Sequence, residues 1–282
     1  MKKILKWITI ALIVLITLTA LASVALYFVG MEKFTRTYPN IAVEQIKISV
    51  DANAIARGKH IATIWSCTRC HGDNLSGTVI TNDPISGLVP ILGSIPASNL
   101  TAGNGGIANS YTDADWVRAI RHGVTPNGRV EILMNDYSIL SDRDLGDLIA
   151  YLKQIPPVDS DQSARSYGPL LPIFPAIGLF TPAADAMDHN APRPTDPALG
   201  ATKEYGKYLV GICTGCHNKA IANGLSKWSR EDFVRAFRSG VLPNGTRFGS
   251  TMSSKTFSEM NDTELSALWL YMQNTSPTQA QK

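Results

Sequence analysis

The pentapeptide Cys67-Thr68-Arg69-Cys70-His71 returns as Cys213-Thr214-Gly215-Cys216-His217, and these two copies hold every cysteine in the chain. A disulfide framework would scatter its cysteines through a small, loop-rich chain. Here they fall in two matched pairs, each followed at once by histidine, so the fold has to build one local chemistry twice. The repetition reaches beyond the pairs. ARGKHIATIWS (56–66) and EYGKYLVGI (204–212) precede them, each with a Gly-Lys step opening a helical stretch. Downstream, TDADWVRAIRHGVTPNGR (112–129) matches SREDFVRAFRSGVLPNGT (229–246).

The repeated unit predicts helices. Thr112 and Ser229 are good N-caps, with Asp115 and Asp232 three residues on to complete a capping box. Pro126-Asn127-Gly128 and Pro243-Asn244-Gly245 read as turns, and a methionine follows in each copy, Met134 and Met252. Each copy then closes with a helix capped by Ser141 or Asn261, with Asp144 or Glu264 at the third helical position. Leu145, Leu148, Ile149 and Leu152 lie on one face, and Leu265, Leu268, Trp269 and Met272 repeat that stripe. Pro156-Pro157 stops the first of these helices and Pro277 follows the second. The expected organisation is mainly α: one domain at 51–157, a proline-rich semi-extended linker at 158–196, a second domain at 197–276 and a tail at 277–282. The apolar middle of the linker, LLPIFPAIGLF, is expected to pack in part on a domain surface. The interval from His71 to Asp115 is much longer than that from His217 to Asp232, so the first copy carries an extra irregular loop over one side.

Residues 1–30 form a different unit. The stretch 7–30 is uncharged and long enough to cross a bilayer as one helix. Lys2, Lys3 and Lys6 precede it, which puts the N-terminus in the cytoplasm and the rest outside, beginning with a tether at 31–50. A cleaved export signal ending near Ala20-Leu21-Ala22 is the alternative, but the apolar run is longer than a signal core and continues through Val24, Leu26 and Phe28. Those three lysines belong to the 26 basic residues, and the remainder balance the 23 acidic ones. The body beyond the anchor is neutral, without the basic stripe that a nucleic-acid partner requires.

Cys-x-x-Cys-His is the attachment signature of c-type haem. Two thiols three residues apart on a turn reach the two vinyl groups of one porphyrin, and the adjacent histidine becomes the proximal iron ligand. Cys67, Cys70, Cys213 and Cys216 are therefore expected to carry two covalently bound haem c groups, with His71 and His217 on the iron. Zinc binding by the pairs is the competing reading, and it fits poorly with a histidine after each pair inside a repeat. A dithiol redox role would need a strand–helix context that the sequence lacks.

The order of helix, CxxCH, loop, helix, methionine and terminal helix resembles class I cytochrome c, twice over. That resemblance implies a methionine as the distal ligand between the last two helices, at Met134 and Met252. The strings NLTAGNGGI (99–107) and MNDYSILSDRDLGDLIAYLKQIPPV (134–158) look like the cytochrome c subunits of membrane-anchored alcohol and aldehyde-type dehydrogenases. The family often has proline after the distal methionine, whereas Asn135 and Ser253 stand here.

Other residues carry weaker expectations. Met187, Met260 and Met272 read as gap-filling methionines, although Met260 rivals Met252 as the second distal ligand. His60, His122 and His189 read as surface or loop histidines. Arg118, Arg121, Arg129, Arg235, Arg238 and Arg247 are candidates for the haem propionates, with a solvated helix face as the alternative. Trp116 and Tyr137 could pack on the first haem and Phe233 on the second, or simply in the cores. Pro90 is placed in the loop that offers a carbonyl to His71.

His/Met ligation fills both axial positions and suits outer-sphere electron transfer. The expectation is a membrane-anchored dihaem cytochrome c of the respiratory chain. It sits in the inner membrane with its haem domains on the periplasmic side. It passes electrons from a dehydrogenase or quinol-oxidising donor to an acceptor cytochrome or oxidase. No dinucleotide fingerprint or other catalytic cluster marks an enzymatic site of its own. A dihaem peroxidase or sulfur-compound oxidoreductase, with one open haem, is the alternative.

Overall fold

In the computed structural model the described residues are 2–80, 89–161, 164–217, 228–249, 252 and 254–273, with backbone alone at 89–90 and 214–216. Ser253, Pro277 and the tail at 277–282 lie outside them. Helix α1 (Lys2–Thr35) contains the expected apolar run and continues past it into the polar turn of Glu32 and Lys33. It has 34 residues, a mean hydropathy of 2.5 over its most apolar window, and no burial there. Length and composition alone make it able to cross a membrane.

The first half of the globular body is built on α2 (Ala52–Ile64), α3 (Cys67–His71), the one-turn α4 (Val89–Leu92), α5 (Asp113–His122) and α6 (Asp142–Leu152). Two short pieces follow in the linker, α7 (Ile173–Ala176) and α8 (Ala183–Ala186). The second half contains α9 (Lys203–Leu209), α10 (Gly211–His217), α11 (Arg230–Ser239), α12 (Ser254–Ser258) and α13 (Asp262–Gln273). The caps are those the sequence predicts. Thr112 and Ser229 each close a capping box with Asp115 and Asp232, and Ser141 accepts from the Asp144 N–H. Asn261 and Glu264 exchange side chain and backbone in the same way, at 3.0 and 2.7 Å.

The two halves share one packing solution. Helix α2 lies against α6, and α9 lies against α13, as the dominant helix pairs of the globular body. At the first crossing a methyl on Gly58 would collide with the Asp147 carbonyl and Tyr151 Cβ; at the second, one on Gly206 would collide with the Ala267 carbonyl and Tyr271 Cβ. The same residue type at the same repeat position allows the same backbone approach. The apolar stripes sit beneath: Leu145, Leu148, Ile149 and Leu152 are buried, as are Leu265, Leu268 and Met272. The turns also repeat, with antiparallel bridges Val124–Val130 and Val241–Arg247 spanning the two Pro-Asn-Gly loops.

The halves meet in one continuous core that includes Trp65, Leu140, Leu209 and Met260. The indole of Trp65 packs on Gly211 and lies 6.1 Å from the Tyr208 ring. The stretch 158–196 is more folded than its prolines suggest. Its strand β2 (Ser166–Tyr167) pairs antiparallel with β1 (Gly93–Ser94), with Gly93 opposite Tyr167. Leu171 and Ala184 enter a second core with Phe34 of α1, Ile95, Val124, Val130 and Ile132. Apolar side chains between the prolines supply the burial that holds this segment on the first half.

Candidate cofactor site

Helix α2 ends at Trp65, and Ser66 adopts a left-handed backbone, φ 63°, that reverses the chain into α3. Helix α3 is the first CxxCH motif itself. The loop after it folds back over its carbonyls: Thr78 Oγ1 donates to Cys70 O at 2.6 Å, and the Gly77 N–H donates to His71 O at 2.7 Å. These bonds pin the motif's last turn before any cofactor is considered.

Cys67, Cys70 and His71 open onto a cavity of about 980 Å³, its open mouth included. The extra loop of the first copy supplies one wall, with Ile95, Pro96, Leu100 and Ile107 among its residues. Helix α5 supplies Trp116 and Ile120, and α6 supplies Leu148 and Leu152. Met134 and Asn135, beyond the Pro-Asn-Gly turn, also line it. The structure thus brings together Cys67, Cys70, His71 and Met134, and places Trp116 and Tyr137 at the same cavity.

His71 is oriented for ligation. Its Nδ1 lies 2.8 Å from the Ser98 carbonyl. A carbonyl only accepts, so Nδ1 carries the proton and Nε2 keeps its lone pair. The carbonyl belongs to Ser98, which corrects the placement of Pro90, whose backbone lies in α4. Burial holds the His71 imidazole below its ordinary pKa, in the neutral form that binds metal. Burial also pushes the Cys67 thiol up to about 12 and raises that of Cys70. Redox-active dithiols have the opposite property, a depressed pKa. Among the described residues no three His, Cys, Asp or Glu side chains converge to hold a metal ion directly.

These features fit a porphyrin. The walls are apolar, two thiols and a neutral imidazole share one turn, and a thioether lies on the same cavity. The buried indole Nε1 of Trp116 has no protein acceptor. Two polar residues escaped the sequence reading. Arg165, from the linker, and Glu131 line the cavity as a pair at 3.3 Å. Burial raises the Glu131 carboxyl, and Arg165 works against that rise. Neither has a counterpart in the second copy, so the repeat gave no signal for them.

The arginine candidates divide. Arg118 pairs with Asp115 and Arg235 with Asp232 along their own helices. Arg238 reaches Asp262, Arg129 is exposed, and Arg121 is buried against Asp142. Only Arg247 of the six lies beside a candidate ligand: it lines a more open depression with Met252, Phe248 and, from the first motif, Arg69. In the second copy Cys213 is buried and His217 exposed, and the Cys216 side chain lies outside the described residues. Met260 is buried at 1% in the core, where Phe233 also packs against Phe237 and Trp269. His122 is not a surface residue. It is 3% exposed, because the amphipathic α5 turns its last residues onto the linker, where His189 Nδ1 lies 3.1 Å from its own.

Residues 55–156 match the family model for cytochrome c. The chain carries a cytochrome c domain. That domain is the first half described above, with its CxxCH motif, its cavity and Met134. A cytochrome c domain binds haem c covalently. About four fifths of the chain is also similar to named cytochrome subunits. It is 24% identical to the gluconate 2-dehydrogenase cytochrome c subunit of Pantoea cypripedii, over 78% of this chain and 59% of that one. It is 23% identical to the cytochrome c subunit of the quinone-dependent alcohol dehydrogenase of Gluconacetobacter polyoxogenes, over 80% and 57%. It is 21% identical to the fructose dehydrogenase cytochrome subunit of Gluconobacter japonicus, over 82% and 54%. The chain spans between 54 and 59% of the length of these relatives.

Proposed function

We propose that this chain is a membrane-anchored dihaem electron carrier built from two tandem class I cytochrome c domains, 51–157 and 197–276. The carrying observation is the convergence of Cys67, Cys70, His71 and Met134 on one apolar cavity. The second domain is supported by the repeated crossing at Gly206 and the repeated motif at the end of α10. Haem c would supply one-electron redox chemistry. Cys67 and Cys70 would hold the first group and Cys213 and Cys216 the second, with His71, Met134, His217 and Met252 as axial ligands. The Ser98 carbonyl fixes the His71 ring, and the walls from α5, α6 and the extra loop keep water from it. With a histidine and a methionine of this chain holding each iron, no axial position would be left open to a substrate, which suits a carrier rather than an enzyme.

Arg69 of the first motif lines the depression that holds Met252, and Trp65 packs on the residue that opens α10, so the two motifs are neighbours. The relatives' names support a dehydrogenase as donor; a quinol-oxidising complex is the other donor proposed, and an acceptor cytochrome or oxidase would stand beyond it. Helix α1 would hold the carrier in the inner membrane with both domains on the periplasmic side.

The test is haem stoichiometry and ligation in the purified chain. Two haems per chain are expected, falling to one in Cys67→Ser/Cys70→Ser and to one in Cys213→Ser/Cys216→Ser. Both ferric haems should be low-spin, and Met134→Ala and Met252→Ala should each abolish one methionine–iron charge-transfer band. One haem per chain sinks the dihaem reading. A second haem that binds carbon monoxide in the unsubstituted protein moves the chain to the dihaem-enzyme class.

A further inference from the structure

Residues 167–184 carry no charged side chain. Their apolar residues split into two sets. Leu171, Pro175 and Ala184 are buried against the first half and the end of α1. Leu170, Ile177 and Leu179 face outward, 41%, 52% and 68% exposed. Apolar side chains of this size, exposed together on a proline-braced turn, favour another apolar neighbour.

The position of the turn identifies that neighbour. Helix α7 is packed on α1. The face of α1 that it covers carries Leu26, Tyr27, Gly30 and Phe34. A methyl on Gly30 would collide with the Pro172 carbonyl, so the turn rests directly on the helix backbone. Lys33 Nζ donates to the Pro175 carbonyl at 2.8 Å and fixes the height of the turn along the helix. The uncharged run of α1 ends at Met31, before Glu32. Leu26 lies about 6 Å below Gly30 on a rise of 1.5 Å per residue. The turn therefore lies beside the last apolar turns of α1, at the depth where a bilayer would meet its headgroups.

We propose that Leu170, Ile177 and Leu179 form a second membrane contact: an apolar knuckle that inserts into the outer interface beside α1 and holds the first domain at a fixed height and tilt. This rests on the reading of α1 as an anchor. A single spanning helix leaves its own tilt, and with it that of the domain packed on it, unconstrained by the bilayer; a second contact on the same surface removes that freedom. Sheet pairing of the linker with Gly93 and Ser94 then carries the constraint to the loop that walls the cavity. The occupant proposed is lipid, because the patch is contiguous with the membrane-spanning surface and carries no charge to pair with a protein partner.

The experiment uses the full chain in phosphatidylethanolamine/phosphatidylglycerol vesicles. Leu179→Cys and, as comparator, Leu199→Cys at an exposed site outside the patch are labelled with an environment-sensitive fluorophore, with labelling of the unsubstituted chain subtracted. The Leu179 probe should shift to the blue and lose at least half its emission to lipids with a nitroxide near the headgroup. The Leu199 probe should do neither. Gly30→Leu, which pushes the turn off the helix, should reduce the quenching at position 179 at least twofold. If the chain floats with the vesicles and the Leu179 probe stays as wet as the Leu199 probe, the knuckle is wrong and the anchor stands. If the chain does not float with them, the anchor reading falls and the knuckle with it. Shielding that follows protein density and ignores quencher lipid puts a second copy of the chain on the patch and also overturns the proposal.

Discussion

The imidazole Nε2 of His60 lies 2.8 Å from Oε1 of Glu264, joining α2 of the first half to the first turn of α13 in the second. The other Glu264 oxygen accepts the Asn261 N–H at 2.7 Å, so the carboxylate is held by its own helix cap. A carboxylate only accepts, so His60 Nε2 must carry a proton. The hydrogen bond to Glu264 raises the His60 pKa, against burial that lowers it. A histidine raised on folding binds its proton more tightly in the native state. The stabilisation is complete below the ordinary histidine value of about 6.5 and is lost as pH rises through the raised one. The thermal midpoint should therefore fall as pH rises above about 6.5 in the parent, and less steeply in His60→Gln. Equal slopes would remove His60 from the joint.

How much of this was legible in the sequence follows from the range of each interaction. N-caps are local, and Thr112, Ser141 and Ser229 were readable from the next three residues. The two CxxCH motifs were readable because their spacing is their chemistry, and the ligand roles proposed for them rest on that spacing. Met134 came from its repeat position and a resemblance, and the fold places it on the cavity. Ser98 was not readable, because any residue supplies a carbonyl. Nor was Arg165: its role depends on the linker folding back through β2, a pairing of two residues with no periodic signature. His122 read as a surface or loop residue, because nothing local announced the linker that covers it.

Both helix crossings depend on a missing side chain. Gly58→Ala or Gly206→Ala would set a methyl against a carbonyl of the facing helix, and backbone cannot yield as a side-chain tip can. Each should cost about 3 kcal/mol, the upper part of the range for overpacking. Denaturant unfolding of the haem-loaded protein checks this. Because the crossings are equivalent, the two losses should agree within about 1 kcal/mol. A neutral Gly206→Ala would mean that the second crossing is looser than the first.

Arg121 is a buried cation whose partners come from two parts of the chain. It donates to the Leu140 carbonyl at 3.0 Å and pairs with Asp142 at 2.9 Å and Glu44 at 3.8 Å. Asp142 also pairs with Arg193 of the linker at 3.0 Å. Removing Asp142 leaves the buried guanidinium to the Leu140 carbonyl and the more distant Glu44, and such a partly compensated buried charge costs about 2 kcal/mol. Asp142→Ala should show that loss in urea unfolding. Arg121→Met/Asp142→Ala, which removes both charges, should recover part of it. A double variant worse than the sum of the singles would contradict this account of the pair.

The hydroxyl of Tyr208 is shared across the joint between the halves. It donates to Asp144 Oδ2 at 2.7 Å and accepts the Ser141 N–H at 3.3 Å, so a side chain of α9 completes the N-terminus of α6. Burial, followed by the Asp144 charge, raises its pKa well above the ordinary tyrosine value, and it stays a donor at any physiological pH. Tyr208→Phe keeps the ring near Trp65 and removes only the oxygen. A hydrogen bond to a charged acceptor contributes about 2 kcal/mol, and that is the expected loss. Asp144→Asn retains an acceptor and the cap to Ser141, so its loss should be smaller than that of Tyr208→Phe. The ordering separates two accounts of the joint. If apolar packing around Trp65 alone holds the halves together, Tyr208→Phe should be neutral and Asp144→Asn no worse. If the shared hydroxyl sets their registry, Tyr208→Phe should also increase proteolytic cleavage in the linker at 188–196, where the halves would first come apart.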